Sequence, residues 1–265
     1  MPQTPIHLTD WRRLGESDPT LVLIHGSAQG SRIGGDHHFS AQSRLAMRGW
    51  RMLVPDRPGH GRSPAPGRPD DPQADGAWVA ELLGDGAHLV GHSFGGCVAL
   101  AAAAIRPEAV RSLTLIEPAL QSLIPNDPDI QARAAQLGQI FATAKSPADI
   151  AAGFLRWAGI PSDLRGAADP AEMEHLGQGL RQIKLPSEAD IRAALAVVRQ
   201  AGIPLLTVSA GWSPGIDAVA RAVAKEGGGR YVRIPAEHHF PHLVSDAFND
   251  LLDTSMRAAD ARVSA

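Results

Sequence analysis

Short runs rich in β-branched residues or leucine recur along this chain at residues 21–24, 52–54, 89–90, 113–116, 203–208 and 231–234, and stretches with helical spacing lie between them. Runs without polar alternation predict strands buried on both faces. Strands of that kind, alternating with helices, indicate a mostly parallel sheet flanked by helices, so the fold class is α/β. The intervening periodicity predicts helices over about 39–48, 72–83, 93–105, 215–225 and 242–256. Ahead of residue 20 the pattern is thin, and residues 6–8 and 11–14 offer one or two edge strands.

The alternation breaks across residues 119–202, which carry no convincing strand. This stretch holds four helix starts of one kind: Asp127 with Pro128 and Asp129, Ser146 with Pro147 and Asp149, Asp169 with Pro170 and Glu172, and Ser187 with Glu188 and Asp190. A capping oxygen accepts orphan amide bonds, proline suits the first turn, and a carboxylate there favours the positive end of the helix dipole. The expected organisation is a core of residues 1–118 and 203–265 with a helical cap inserted at 119–202. Ile150, Phe154, Trp157 and Ala158 fall on one helical face, and Ile191, Ala194, Leu195 and Val198 on another. Packing accounts for such faces generally. Pocket lining is the second reading, with Phe154 and Trp157 as its candidates.

At 265 residues and 44% hydrophobic composition the chain can bury a sizeable core. Its formal net charge of −3 lacks the basic excess that would favour nucleic acid or an anionic membrane surface. The single cysteine, Cys97, cannot close an internal disulfide, which fits a reducing cytoplasm. No apolar run is long enough to span a bilayer, and no signal peptide or internal repeat is visible.

One segment carries chemistry openly. Gly91-His92-Ser93-Phe94-Gly95-Gly96 follows a predicted strand and precedes an alanine-rich helix, so Ser93 falls at the apex of a strand–turn–helix. A serine on such a turn is lifted clear of the sheet, and small residues two positions away let strand and helix approach. A serine hydroxyl is a poor nucleophile until an imidazole accepts its proton, and the imidazole in turn needs a carboxylate. Three histidines, His238, His239 and His242, follow the last predicted strand. For the acid the candidates are Glu117, at the end of the strand after the elbow, then Asp217, Asp56 and Glu237.

Residues 21–26 with His25-Gly26, residues 56–63, the segment 91–96 and His239-Phe240-Pro241 together resemble the ordered landmarks of the α/β-hydrolase family. The resemblance covers nearly the whole chain outside the insertion. It implies an α/β-hydrolase fold with His239 as the base. It also implies an oxyanion hole formed by the backbone amides of Ser27 and Phe94. The family's usual acid, an aspartate after the strand at 203–208, is absent, since the loop reads Ser209-Ala210-Gly211-Trp212-Ser213-Pro214. Branches that carry a glutamate after the sixth strand, such as the zearalenone-type lactone hydrolases, resemble this chain more closely and place the acid at Glu117.

The expected activity is therefore a cofactor-free serine hydrolase acting on a small-molecule ester or lactone. Hydrolysis of an activated carbon–carbon bond is the alternative within the same machinery, and a binding protein that has lost turnover is the alternative outside it. No nucleic-acid or membrane partner is expected, and oligomeric state, a homodimer included, stays open. Asp36, His37 and His38 invite a metal reading with His238, His239 or His242. Neighbouring histidines in an extended segment point apart, however, so no metal site is expected.

Overall fold

The computed structural model describes residues 5–13, 19–26, 28–161 and 169–263. Seven strands form one sheet: β1 (Leu8–Trp11), β2 (Thr20–Ile24), β3 (Arg51–Pro55), β4 (Ala87–His92), β5 (Val110–Ile116), β6 (Leu205–Ser209) and β7 (Arg230–Arg233). Their spatial order is β1-β3-β2-β4-β5-β6-β7, with β1 antiparallel to β3 and the other pairings parallel. The thin N-terminal pattern thus yields one described edge strand, β1.

Side chains alternate across a strand, and here both faces are dry. Leu21 and Leu23 of β2 join a core with Phe39, Trp50, Phe248, Leu252 and Met256, while Val22 and Ile24 join another with Val98, Leu100 and Val223. Two helical layers supply this cover. On the second face lie α2 (Pro72–Leu82), α3 (Phe94–Ile105) and α8 (Pro214–Gly227), and on the first lies α9 (Ala247–Val263). Two predicted helices come out differently. Residues Ser40–Arg48 wind as a 3-10 helix, and the final helix begins at Ala247 after a separate turn at Pro241–Leu243.

Between β5 and β6 run α4 (Pro128–Thr143), α5 (Pro147–Trp157), α6 (Pro170–Gln182) and α7 (Glu188–Gln200). All four expected caps form. Asp127 accepts from the amides of Asp129 and Ile130, Asp169 from Ala171, and Ser146 with Asp149 and Ser187 with Asp190 close reciprocal capping boxes. α5 and α6 share a small core of their own through Ile150, Ala151, Leu155, Leu176 and Leu180. In contrast α7 buries Ile191, Ala194, Leu195 and Val198 in the same core as β4 and α3. The last helix of the insertion therefore packs with the main body, because its apolar face matches the sheet-side core.

After β2 the chain turns to β3 on one side, and after β3 it crosses to β4 on the other. The loops leaving β2 and β4 thus flank a topological switch point, where open α/β sheets form their crevices. A one-turn helix, α1 (Gly35–His38), follows in the first of these connections.

Candidate active site

Ser93 stands between β4 and α3 with φ 55° and ψ −123°, a left-handed backbone that serine seldom adopts. Neighbouring strands hold it there. Its amide donates to Ile116 O at 2.9 Å, and its carbonyl accepts from Gly96 N at 2.9 Å and Ala119 N at 3.0 Å. The flanking glycines are required by contact: a Cβ on Gly91 would lie 2.7 Å from that of Ala99, and one on Gly95 would lie 2.8 Å from His25 C. Gly26 is under the same pressure, since its Cβ would lie 2.7 Å from that of Ser93.

Among the described residues the other non-glycine with positive φ is Glu117, at 42°. It directly follows β5, and its amide donates to Val208 O at 2.8 Å. This bend buries the carboxylate, which is 2% exposed, and surrounds it with donors. Ala210 N donates to Oε1 at 2.7 Å, Trp212 Nε1 to Oε2 at 2.9 Å, and His239 Nδ1 to Oε2 at 2.5 Å. The glycine loop after β6, which lacks a carboxylate of its own, thus supplies two donors to the carboxylate of the neighbouring strand. With Nδ1 committed to Glu117, Nε2 is the ring nitrogen of His239 left to accept a proton.

The loop carrying His239 is tied down on both sides. His239 N donates to Gly159 O at 3.0 Å, and His239 O accepts from His92 Nε2 at 2.7 Å. Burial, then the neighbouring His239, His242 and His38, pushes the His92 imidazole well below its ordinary value, so it is neutral. Its Nε2 carries the proton given to the carbonyl, and its Nδ1 must accept, here from His38 Nε2 at 2.7 Å. His38, His92 and His242 are all buried, with ring nitrogens within 4.8 Å of one another. The 2.7 Å separation is a hydrogen bond, shorter than the roughly 3.3 Å between two nitrogens on one tetrahedral zinc. The other residues of the metal reading are dispersed. Asp36 pairs with Arg62 at 2.9 Å, His37 is exposed, and His238 Nδ1 accepts from Phe240 N at 3.1 Å.

Beneath the elbow lies a feature the sequence did not announce. Arg57 is fully buried and donates to Asp70 at 3.0 Å and Asp75 at 3.1 Å, and its guanidinium lies 4.6 Å from the centre of the Phe94 ring. Asp70 in turn accepts from Gln29 N at 2.8 Å, beside the loop after β2. His25 accepts from Arg57 N at 2.9 Å and donates to Gly26 O at 2.8 Å, which fixes that loop from the other side. The sequence signals nearest this network are the landmarks His25-Gly26 and residues 56–63, neither of which announces a buried arginine.

The remaining acids are engaged elsewhere. Asp217 accepts from Ser209 Oγ at 2.5 Å in the first turn of α8. Asp56 accepts from Gly35 N at 2.7 Å and from Arg62 N and Nε at 2.9 and 3.0 Å. Burial works to raise the Asp56 carboxyl, yet these bonds outweigh it and hold it below the usual carboxylate value. Glu237 is exposed. Cys97 lies buried with its thiol on Ala119 O at 3.2 Å, and desolvation pushes it up to about 12, so it is inert as a nucleophile. Phe94 opens α3, where a first-turn amide has no intrahelical acceptor. Ser27 lies outside the described residues.

Ser93, Glu117, His239 and Phe94 line one cavity of about 950 Å³, roofed by the cap. Phe154 and Trp157 belong to its wall, with Leu137, Phe141, Met173 and Leu176. Hydroxyl, imidazole and buried carboxylate therefore border one largely apolar chamber, a setting suited to attack on a carbonyl. A family profile described as "alpha/beta hydrolase fold" matches residues 19–189. The chain belongs to the α/β-hydrolase family. Similar sequences include "Lipase LipV" of Mycobacterium tuberculosis, 41% identical over 113 residues, or 41% of this chain and 41% of that one. A "2-hydroxy-6-oxononadienedioate/2-hydroxy-6-oxononatrienedioate hydrolase" of Burkholderia vietnamiensis is 37% identical over 116 residues, covering 42% of this chain and 39% of the relative. The matched stretches thus span about two fifths of these curated relatives. The enol-lactonase of Burkholderia xenovorans LB400 superposes with TM-score 0.65 at 19% identity, over 95% of this chain and 96% of that chain. Among the described residues no helix is long and apolar enough to cross a membrane.

Proposed function

We propose that this hydrolase cleaves carboxylic esters or lactones through an acyl-enzyme on Ser93. The observation that carries the reading is the 2.5 Å bond from His239 Nδ1 to the buried Glu117 carboxylate, in the wall of the cavity that Ser93 also lines. His239 Nε2 takes the hydroxyl proton as Ser93 Oγ attacks the carbonyl carbon, and Glu117 stabilises the imidazolium. Amide donors at Phe94 and Ser27 receive the oxyanion. Collapse of the tetrahedral species breaks the bond to the alkoxy oxygen, which leaves with the proton held by His239. Water, deprotonated by the same imidazole, then attacks the acyl carbon. It releases the carboxylic acid and returns the proton to Ser93 Oγ.

The relatives support this chemistry without fixing a substrate. One is named a lipase and a structural neighbour is titled an enol-lactonase. Similarity to a hydrolase named for a 6-oxo dioic acid favours a second reading, hydrolysis of a carbon–carbon bond next to a ketone by the same residues. A fluorophosphonate probe tests the shared step: it is expected to label the wild type and fail on Ser93→Ala. An unlabelled Ser93 in folded wild-type protein would overturn the mechanism. A panel of p-nitrophenyl esters, macrocyclic and small lactones and vinylogous diketones then separates the two readings by kcat/KM.

A further inference from the structure

The cavity wall is apolar almost throughout, and its two carboxylates have partners. Glu117 is engaged by three donors, and Glu172 accepts from Arg32 N at 3.0 Å. Arg133 stands out. It is the one lysine or arginine among the described residues lining the chamber, and it forms no ion pair with any described carboxylate.

Its position is built rather than incidental. Arg133 projects from α4 with its guanidinium carbon 4.3 Å from the centre of the Trp157 ring and 5.2 Å from that of Trp212. Nη2 donates to Trp157 O at 3.2 Å, and Trp157 Nε1 returns a bond to Arg133 O at 3.0 Å. The head group lies against two indoles and is held by one hydrogen bond, and the two nitrogens outside that bond, Nε and Nη1, are not sealed from open space. A guanidinium offers five N–H donors in a planar fork that matches a carboxylate, and so most of the fork is uncommitted. Trp212 also donates to Glu117, which places this cation one indole away from the charge relay.

Resting on the proposed reaction, we infer that the natural substrate is an otherwise apolar ester or lactone bearing a carboxylate of its own, anchored by Arg133. A guanidinium half withdrawn from water and flanked by aromatic faces gains from an anion that arrives with an apolar body. A neutral lipid would leave the open side of the fork facing hydrocarbon, with the Glu117 carboxylate as the counter-charge it already feels. The apolar wall then sorts substrates by shape, and Arg133 fixes which end enters.

Binding can be measured without turnover. In Ser93→Ala, monomethyl suberate is expected to bind at least tenfold tighter than dimethyl suberate by titration calorimetry. The preference should shrink as salt rises, because the contrast is ionic. Adding Arg133→Met should abolish the preference, and Arg133→Lys should keep part of it, since a point charge lacks the fork. In the turnover-competent protein, Arg133→Met should act on the kcat/KM ratio of the two esters mainly through KM. Equal binding of mono- and diester, or a preference that survives Arg133→Met, overturns the inference. Should Arg133→Met fail to fold, the lysine variant and the salt dependence with Arg133 in place decide the same point. Failure of fluorophosphonate labelling would strike the reaction instead, and the binding comparison is independent of it.

Discussion

The carboxyl edge of the sheet and the cap above it are built by opposite means. At the edge, Ser93 and Glu117 hold left-handed backbones, and buried polar groups answer one another: Glu117 with His239, His92 with His38, Arg57 with Asp70 and Asp75. In the cap, α4, α5 and α6 are ordinary capped helices whose inner faces are apolar apart from Arg133 and Glu172. The edge is specified by hydrogen bonds that tolerate little change, and the cap by volume and hydrophobicity, which many sequences satisfy. Reaction chemistry and substrate choice are therefore written in different physical terms within one chain.

The sharpest way to break this contrast is at the acid. Glu117→Gln is expected to lower kcat by about 10³ to 10⁴ with folding near normal, while Asp217→Asn changes turnover little, and kinetics on an active ester compares them. A reversed result would move the relay to the loop after β6. Arg57→Met comes next. It takes from the buried Asp70 and Asp75 the cation they share, although Asp75 keeps Arg68 at 2.6 Å, so urea unfolding should report a loss of about 3 kcal/mol.

Acid should separate the regions as well. His25, His38 and His92 lie well below their ordinary value of 6.5 and His242 at about 3, in each case with burial as the leading cause. In the unfolded chain these rings take up protons near 6.5, and in the folded protein they do not. Stability is thus full above 6.5 and falls as pH drops from there toward 3. A shift from pH 7.5 to 5 should cost about 2 kcal/mol for each ring that stays neutral, read from urea midpoints. His92→Gln should make that slope shallower. The smallest effect belongs to a helix start: Ser187→Ala removes one half of a capping box and should lower stability by about 1 kcal/mol, with little change in turnover.

Much of the scaffold is legible in the sequence, because its signals are local. Apolar runs gave β2 to β6, and cap-plus-acid pairs gave the starts of α4 to α7. Ser93 and Glu117 were visible because each closes a strand. The rest depends on contacts between distant residues. His38 and His92 meet across 54 positions, and Trp212 reaches Glu117 across 95. Arg57 reads as a surface residue until Asp70 and Asp75 fold over it. The insertion's final helix reads as one more capped helix of residues 119–202, because a helical face does not say which neighbour it will meet. In the structure it belongs with the sheet.

Ser93 and Glu117 occupy the ends of adjacent strands, joined through Ser93 N to Ile116 O and Ala119 N to Ser93 O. Both lie in the chain before α4 begins, while the groups that hold Glu117, β6 with Ala210 and Trp212, follow the insertion. None of the three donors to the Glu117 carboxylate comes from α4 to α6, so substitutions there can reshape the chamber and leave this carboxylate in place. The imidazole is the group that feels such changes, because its loop is pinned to Gly159 at the end of α5 as well as to His92.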